Sequence, residues 1–222
     1  MVKSVEPDRP ILLMPRAVYT TLVVLLLRPA AGVDAQRMQS LQRIRHTYDA
    51  AYTRWLPHIT LIPPFQIEKE AEGEGVPPSL AQTLDGVSTD AQKACDRAAA
   101  HTLRLAEIGT FRLRRYENVH LRPDAATASP LMALQRDLQK EVAPHIPKGK
   151  RRREKFVPHA SLGQAYAADD KQEIVFEATR DLGLDGPEPG VLVQADRIQV
   201  MYKPSHEKGA YTLWRELALP HS

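Results

Sequence analysis

The 222-residue chain carries a single cysteine, Cys95, so no intramolecular disulfide can form. The fold therefore needs no oxidising compartment. No group of cysteines and histidines has the spacing of a zinc site, and neither a metal nor a cofactor is expected. Long apolar runs are also missing. The longest, Leu22 to Leu27, is too short to cross a bilayer. A cleaved leader fits poorly, because Asp8, Pro10, Pro15 and Arg16 precede that run. The run reads as a buried strand, and an intracellular, cytoplasmic or nuclear protein with no membrane partner is expected. Strong charge is absent as well. The net charge is +3 and the pI about 9.0. Such mild basicity suits a nucleic-acid substrate without demanding one.

What is present is ordinary globular material. Apolar residues make up 43% and charged residues 26%, enough for a core. Residues 1–16 hold three prolines and read as an irregular arm, with a single bilobed domain expected over 17–222. Tyr19 to Leu27 reads as a central strand. Asp34 suits an N-cap for a helix carrying Met38, Leu41, Ile44 and Tyr48. A strand ending at Pro63-Pro64 follows, then a flexible acidic loop over 67–78. Ser79 can cap a helix that buries Leu80, Leu84, Val87, Ala91 and Ala94, with Cys95 as a small core residue. Strands are expected at 101–107, 111–116 and 118–122. Ser129-Pro130 looks like a helix start. A helix near 169–180 and strands at 191–201 and 211–219 complete the chain. The order β-α-β-α-β-β-β-α-β-α-β-β indicates an α+β fold with largely antiparallel sheets.

The sequence also repeats a phrase. Trp55-Leu56-Pro57-His58-Ile59-Thr60-Leu61 returns as Phe156-Val157-Pro158-His159-Ala160-Ser161-Leu162, one copy in each half. Each reads aromatic, apolar, proline, histidine, apolar, hydroxyl, leucine. On a strand, a histidine and a hydroxyl two positions apart share one face. A lone histidine on an apolar strand is usually a buried structural residue. Two in matching phrases can instead bring two imidazoles and two hydroxyls together. The other six histidines share no such setting.

These motifs, His58-x-Thr60 and His159-x-Ser161, resemble the paired signature of the 2H phosphoesterase superfamily, which includes cyclic phosphodiesterases and proteins once named 2′-5′ RNA ligases. Leu103-Arg104-Leu105 with Gly109-Thr110-Phe111 resembles a strand of that family. Val119-His120-Leu121 resembles its next strand, and Ser205, Gly209 and Tyr211 its closing segment. The likeness spans about residues 18–219. It implies two pseudo-symmetric lobes of mostly antiparallel sheet with outer helices, and a central cleft holding His58, Thr60, His159 and Ser161. It also implies metal-independent hydrolysis of 2′,3′-cyclic phosphates on nucleotides or RNA ends.

The chemistry agrees. Opening a cyclic phosphodiester requires a base for water and an acid for the leaving oxygen, and imidazole titrates near neutrality. Thr60 and Ser161 can donate to the non-bridging oxygens, where charge accumulates. With His159 as base and His58 as acid the product is a 2′-phosphate; for a 3′-phosphate the roles swap. RNA 3′-end trimming, 2′-5′ ligation and a non-catalytic module that binds a nucleotide or RNA end are the alternatives. A monomer is expected.

Four further residues are candidates for substrate binding. Arg112 and Arg114, read as one face of a strand, line the cleft or stay solvated. Tyr202 stacks on a base or packs in the core, with Lys203 beside it. The basic run 148–155 is a solvated loop, a phosphate-binding segment beside His159, or a nuclear address.

Overall fold

The computed structural model describes residues 16–30, 32–70, 76–148 and 155–221. Most of the expected N-terminal arm and of the basic run therefore lies outside the described residues. The first half contains β1 (Arg16–Leu26), β2 (Arg28–Pro29), α1 (Val33–Tyr48), β3 (His58–Glu70), α2 (Pro78–Cys95) and β4 (His101–Arg112). The second contains β5 (Glu117–Pro123), α3 (Ala125–Val142), β6 (Ala160–Ala165), α4 (Ala168–Asp181), β7 (Val191–Ala195), β8 (Arg197–Pro204) and β9 (Thr212–Ala218). A short 3₁₀ turn, Ala143–His145, follows α3.

The strands form two sheets, ordered β3-β1-β8-β9 and β2-β7-β4-β5-β6. Every neighbouring pair is antiparallel. The α+β expectation is thus met. The chain passes from the first sheet to the second at Leu27, between β1 and β2, where Leu27 N–H donates to Pro57 O at 2.9 Å. Helices α2 and α3 pack against β3, and α2 also against β8 and β9. Helices α1 and α4 pack against β6. Each motif strand is therefore an edge strand: β3 ends one sheet and β6 the other. The helix before each motif covers the opposite motif's strand, so the two halves interlock. Fully buried Leu25, Ile59, Leu61, Leu84, Leu103, Leu121 and Leu162 join one core that draws on both sheets. Each such side chain contributes roughly 1.5–3 kcal/mol on leaving water.

Several elements differ from expectation, each for a local reason. Strand β3 runs on past Pro63-Pro64, since an edge strand tolerates prolines where no ladder bond is needed. The register jumps there, from Thr21–Phe65 to Val23–Ile62, which marks a bulge. Residues 67–70 are thus strand rather than loop, and 71–75 lie outside the described residues. The strands expected at 101–107 and 111–116 form the single strand β4, which ends at Arg112; residues 113–116 are a turn closed by Leu113 N–H to Tyr116 O at 2.9 Å. The 191–201 run is two strands in different sheets, parted at Asp196, which pairs with Arg28.

Helix α3 begins earlier than Ser129, capped by Asp124, whose carboxylate accepts from Thr127 N–H at 2.8 Å. Pro130 lies inside it. In α1, Asp34 is not the cap, which is Gly32. Its carboxylate accepts from Leu192 N–H of β7 at 2.8 Å, tying the helix to the sheet. Helix α2 starts at Pro78, one residue before Ser79, after Pro77 as cap. Cys95 is fully buried, and burial raises its thiol pKa to about 12.

Candidate active site

The two motifs present their histidines in the same way. His58 is the first residue of β3, and His159 directly precedes β6. Each Nδ1–H donates to the carbonyl two residues back, His58 to Leu56 O and His159 to Val157 O, both at 2.8 Å. A carbonyl can only accept, so Nδ1 carries the proton and the neutral ring keeps its lone pair on Nε2. The contact is not diagnostic alone, because His101 makes the same one to Ala99 O at 2.9 Å. What sets His58 and His159 apart is the matched phrase that carries each, on strands β3 and β6 that touch each other. A positive charge on His159 lowers the proton affinity of His58.

The hydroxyls differ. Thr60 lies half-buried on β3 with no hydrogen bond of its side chain to any described residue. Ser161 Oγ accepts from Asn118 Nδ2 at 3.1 Å, and its own O–H makes a longer contact of 3.5 Å to Asn118 Oδ1, which it would give up to donate elsewhere.

Behind the first motif lies a buried polar network. Arg45 and Asp49 of the α1 end form an ion pair at 2.8 Å, with both side chains 2% exposed. Arg45 also donates to Trp55 O at 2.9 Å. Asp49 accepts from Ala51 N–H at 2.9 Å and from Gln164 Nε2 at 3.1 Å. Gln164 Oε1 accepts from Ala50 N–H at 2.7 Å. Trp55 opens the first phrase and Gln164 lies in β6, so this network joins the two motifs. At the same junction Gly163 permits contact with α1; a Cβ there would stand 2.4 Å from Tyr48 Cβ.

Aromatic rings line both histidines. Trp55 lies against His58 with centroids 4.5 Å apart, and Tyr211 against Trp55 at 4.5 Å. Phe111 meets His159 edge-on at 4.8 Å. His120 stacks on Phe111 at 4.2 Å and lies 5.0 Å from His159. The expectation that no other histidine shares this setting fails for His120, which is 1% exposed. Antiparallel pairing sets His120 opposite both Ser161 and Gly109. A Cβ at Gly109 would approach His120 Nε2 to 2.6 Å, so the glycine makes room for the ring rather than a turn.

Electrostatics keep these rings neutral. Burial is the main cause in each case. It takes His58 down to about 4, helped by the positive charge of Arg45 and opposed by the Leu56 carbonyl. It takes His120 to about 4 as well, and also lowers His159.

The other candidates fall elsewhere. Tyr202, 9% exposed, packs in the core, edge-on to Trp214 at 5.8 Å. The tyrosine brought to His58 through Trp55 is Tyr211. Lys203 Nζ stands 5.0 Å from the Tyr211 ring and donates to Glu207 O at 2.8 Å. Arg112 ends β4 and Arg114 lies in the following turn, so they share no strand face. Both border a groove at the far end of the second sheet. Sequence reasoning missed Asn118, His120 and the Arg45–Asp49 network. Only His120, flanked by apolar residues like the motif histidines, offered a signal.

No described helix is long and apolar enough to cross a membrane. No group of three or more metal-ligating side chains occurs among the described residues.

Comparison with known proteins gives the same frame. No curated protein matches in sequence. Among solved structures, E. coli LigT in apo form matches with a TM-score of 0.54 and 18% identity, covering 92% of this chain and 99% of that one. E. coli LigT complexed with 3′-AMP matches at 0.54 and 17%, covering 91% and 98%. A crystal structure described as a phosphoesterase matches at 0.54 and 16%, covering 90% and 98%. At such identities the likeness establishes the fold. The family model for the 2′-5′ RNA ligase superfamily matches residues 32–207. That span includes both histidine motifs, two of the four strands of the first sheet and four of the five of the second, and the chain belongs to this superfamily, the 2H phosphoesterases.

Proposed function

We propose that the chain hydrolyses 2′,3′-cyclic phosphates on nucleotides or RNA ends, with His58, Thr60, His159 and Ser161 as its catalytic residues. The observation that carries this reading is the matched presentation of two imidazoles from the edges of two sheets. Each offers Nε2 as a neutral base or, once protonated, as an acid. Superfamily membership supports phosphoesterase or ligase-like chemistry. The LigT structure complexed with 3′-AMP supports a nucleotide ligand.

In the step, water attacks phosphorus while His159 Nε2 takes its proton. The bond from phosphorus to the 3′ oxygen breaks, and His58 Nε2–H protonates that oxygen, leaving a 2′-phosphate. Exchanging the two roles breaks the 2′ bond and leaves a 3′-phosphate. Thr60 and Ser161 donate to the non-bridging oxygens. Their charge is stabilised best where water is excluded. Burial holds both imidazoles neutral, so one must gain a proton as substrate arrives. The phosphate anion supplies the counter-charge that raises its pKa. Two imidazoles supply both proton transfers, so no metal is required.

The test is incubation with the four nucleoside 2′,3′-cyclic monophosphates, with and without EDTA, with the phosphate position read by NMR. Turnover that survives EDTA is expected. No turnover of any of the four would overturn the reading, and strict metal dependence would overturn the two-histidine mechanism. Shortening of a 3′-hydroxyl RNA oligomer would favour 3′-end trimming instead.

A further inference from the structure

Beyond the histidines, the second sheet ends in a groove of about 690 Å³. Its walls are the 113–116 turn, the end of β6 and the first turns of α4. Arg112, Arg114 and Arg115 border it, all exposed, and none forms an ion pair among the described residues. Lys171 adds a fourth cation, neutralised by Glu117 at 2.7 Å. Arg112 lies across the strand pair from Glu117 and feels its charge, so two guanidiniums, Arg114 and Arg115, stand without an acid partner in one concave place.

The groove also exposes apolar surface. Tyr166 is 67% and Leu113 47% exposed. Tyr166 and Tyr116 lie with ring centroids 5.7 Å apart. Tyr166 is held from behind, because the Asp170 carboxylate accepts from its N–H at 2.8 Å and from Ala167 N–H at 2.9 Å. An exposed ring on a fixed backbone beside unpaired guanidiniums suits stacked bases and a phosphodiester chain. A folded acidic protein would match the charge but has no need of the open ring.

The groove lies at the end of the strands that flank the second motif. Phe111, whose ring touches His159, directly precedes Arg112. Along β6, Ala165 in the groove lies four residues past Ser161, about 13 Å at the rise of a strand. A nucleotide chain whose end reacts at His159 could therefore continue into the groove, whereas a free mononucleotide could not.

We propose that this groove binds single-stranded RNA leading away from the reacting end, so that the preferred substrate is an oligonucleotide terminus rather than a free cyclic nucleotide. The proposal rests on the function proposed above for the terminus, but the groove's affinity is measurable without turnover.

The test uses the full chain and a fluorescently labelled ten-nucleotide single-stranded RNA, with anisotropy followed across salt concentrations. Arg114→Ala/Arg115→Ala should weaken binding and lower the slope of log K against log salt by about 1.4, at ~0.7 per phosphate contact. Arg114→Lys/Arg115→Lys should keep the slope. Tyr166→Ala should weaken binding about 5- to 150-fold. The kcat/KM ratio between an oligonucleotide ending in 2′,3′-cyclic phosphate and the matching cyclic mononucleotide should fall at least tenfold in the Arg114→Ala/Arg115→Ala variant. Unchanged affinity and slope would overturn the proposal. So would equal competition by an acidic peptide, which would make the groove a protein site. If variant and wild type turn over both substrates in the same ratio, the groove proposal fails and the hydrolase reading stands. If nothing is turned over but RNA binding follows the arginines, the hydrolase reading fails and the groove stands.

Discussion

Replacing Asp49 by Asn should destabilise the protein well beyond an ordinary surface change. The substitution is nearly isosteric, so packing is retained while one charge disappears. Arg45 would then be a cation at 2% exposure with no anion beside it. It would keep hydrogen bonds to Gln42 Oε1 at 3.1 Å and Trp55 O at 2.9 Å, both to neutral oxygens. Removing one member of a buried ion pair typically costs about 3–5 kcal/mol. For a chain of this size each kcal/mol shifts Tm by about 2–4 °C, so a fall of roughly 6–20 °C is expected in calorimetry. The double variant Arg45→Met/Asp49→Asn removes both charges, keeps an acceptor for Ala51 N–H and Gln164 Nε2, and should recover at least half of that loss. Its activity should remain low, since Trp55, which stacks on His58, loses its anchor. An Asp49→Asn shift below about 4 °C, or a double variant no better than the single one, would refute the view that a compensated buried charge joins the motifs.

Other outcomes are equally specific. Asn118→Ala removes the amide that holds Ser161, a bond contributing about 0.5–1.5 kcal/mol, so kcat should fall roughly 2- to 12-fold. KM should hardly change; a rise in KM at constant kcat would make Asn118 a substrate contact instead. Gly163→Ala puts a Cβ 2.8 Å from the Tyr48 carbonyl oxygen, and overpacking of this kind costs about 1–3 kcal/mol, visible as a lower urea midpoint; an unchanged midpoint would show that α1 yields. His120, at about 4 when folded against 6.5 unfolded, makes stability depend on acid. Between those values the unfolded chain binds a proton that the folded chain refuses, so stability is complete above about pH 6.5 and falls as pH drops towards 4. His120→Leu should therefore cut the loss between pH 7.5 and 4.5 by about 2–3 kcal/mol in urea titrations, and equal acid sensitivity would contradict the assignment.

Local grammar exposed the candidate chemistry of this chain better than its geometry. The repeated phrase was readable because strand alternation alone places each hydroxyl on its histidine's face. Its proline also prepares an extended entry to the strand. Element boundaries failed where tertiary context overrode a local signal. Gly109 looks like a turn residue until His120 is seen to need its missing side chain. Pro63-Pro64 looks like a strand end, but only in a strand with partners on both sides, and β3 has one. Asp196 gave no sign that 191–201 splits between two sheets; its partner Arg28 is 168 residues away in sequence. Asn118 and Gln164 reach the site only through pairing and packing that no short window contains.

The central claim is that His58 and His159 together transfer the protons. The most direct measurement compares wild type, His58→Ala and His159→Ala for turnover of a 2′,3′-cyclic nucleotide, with nucleotide affinity determined alongside by calorimetry. Each substitution should lower kcat by ~10²–10⁴-fold, with affinity retained within a fewfold. Turnover that survives either substitution, or a wild type that binds nucleotide without turning over any cyclic phosphate, would contradict the account.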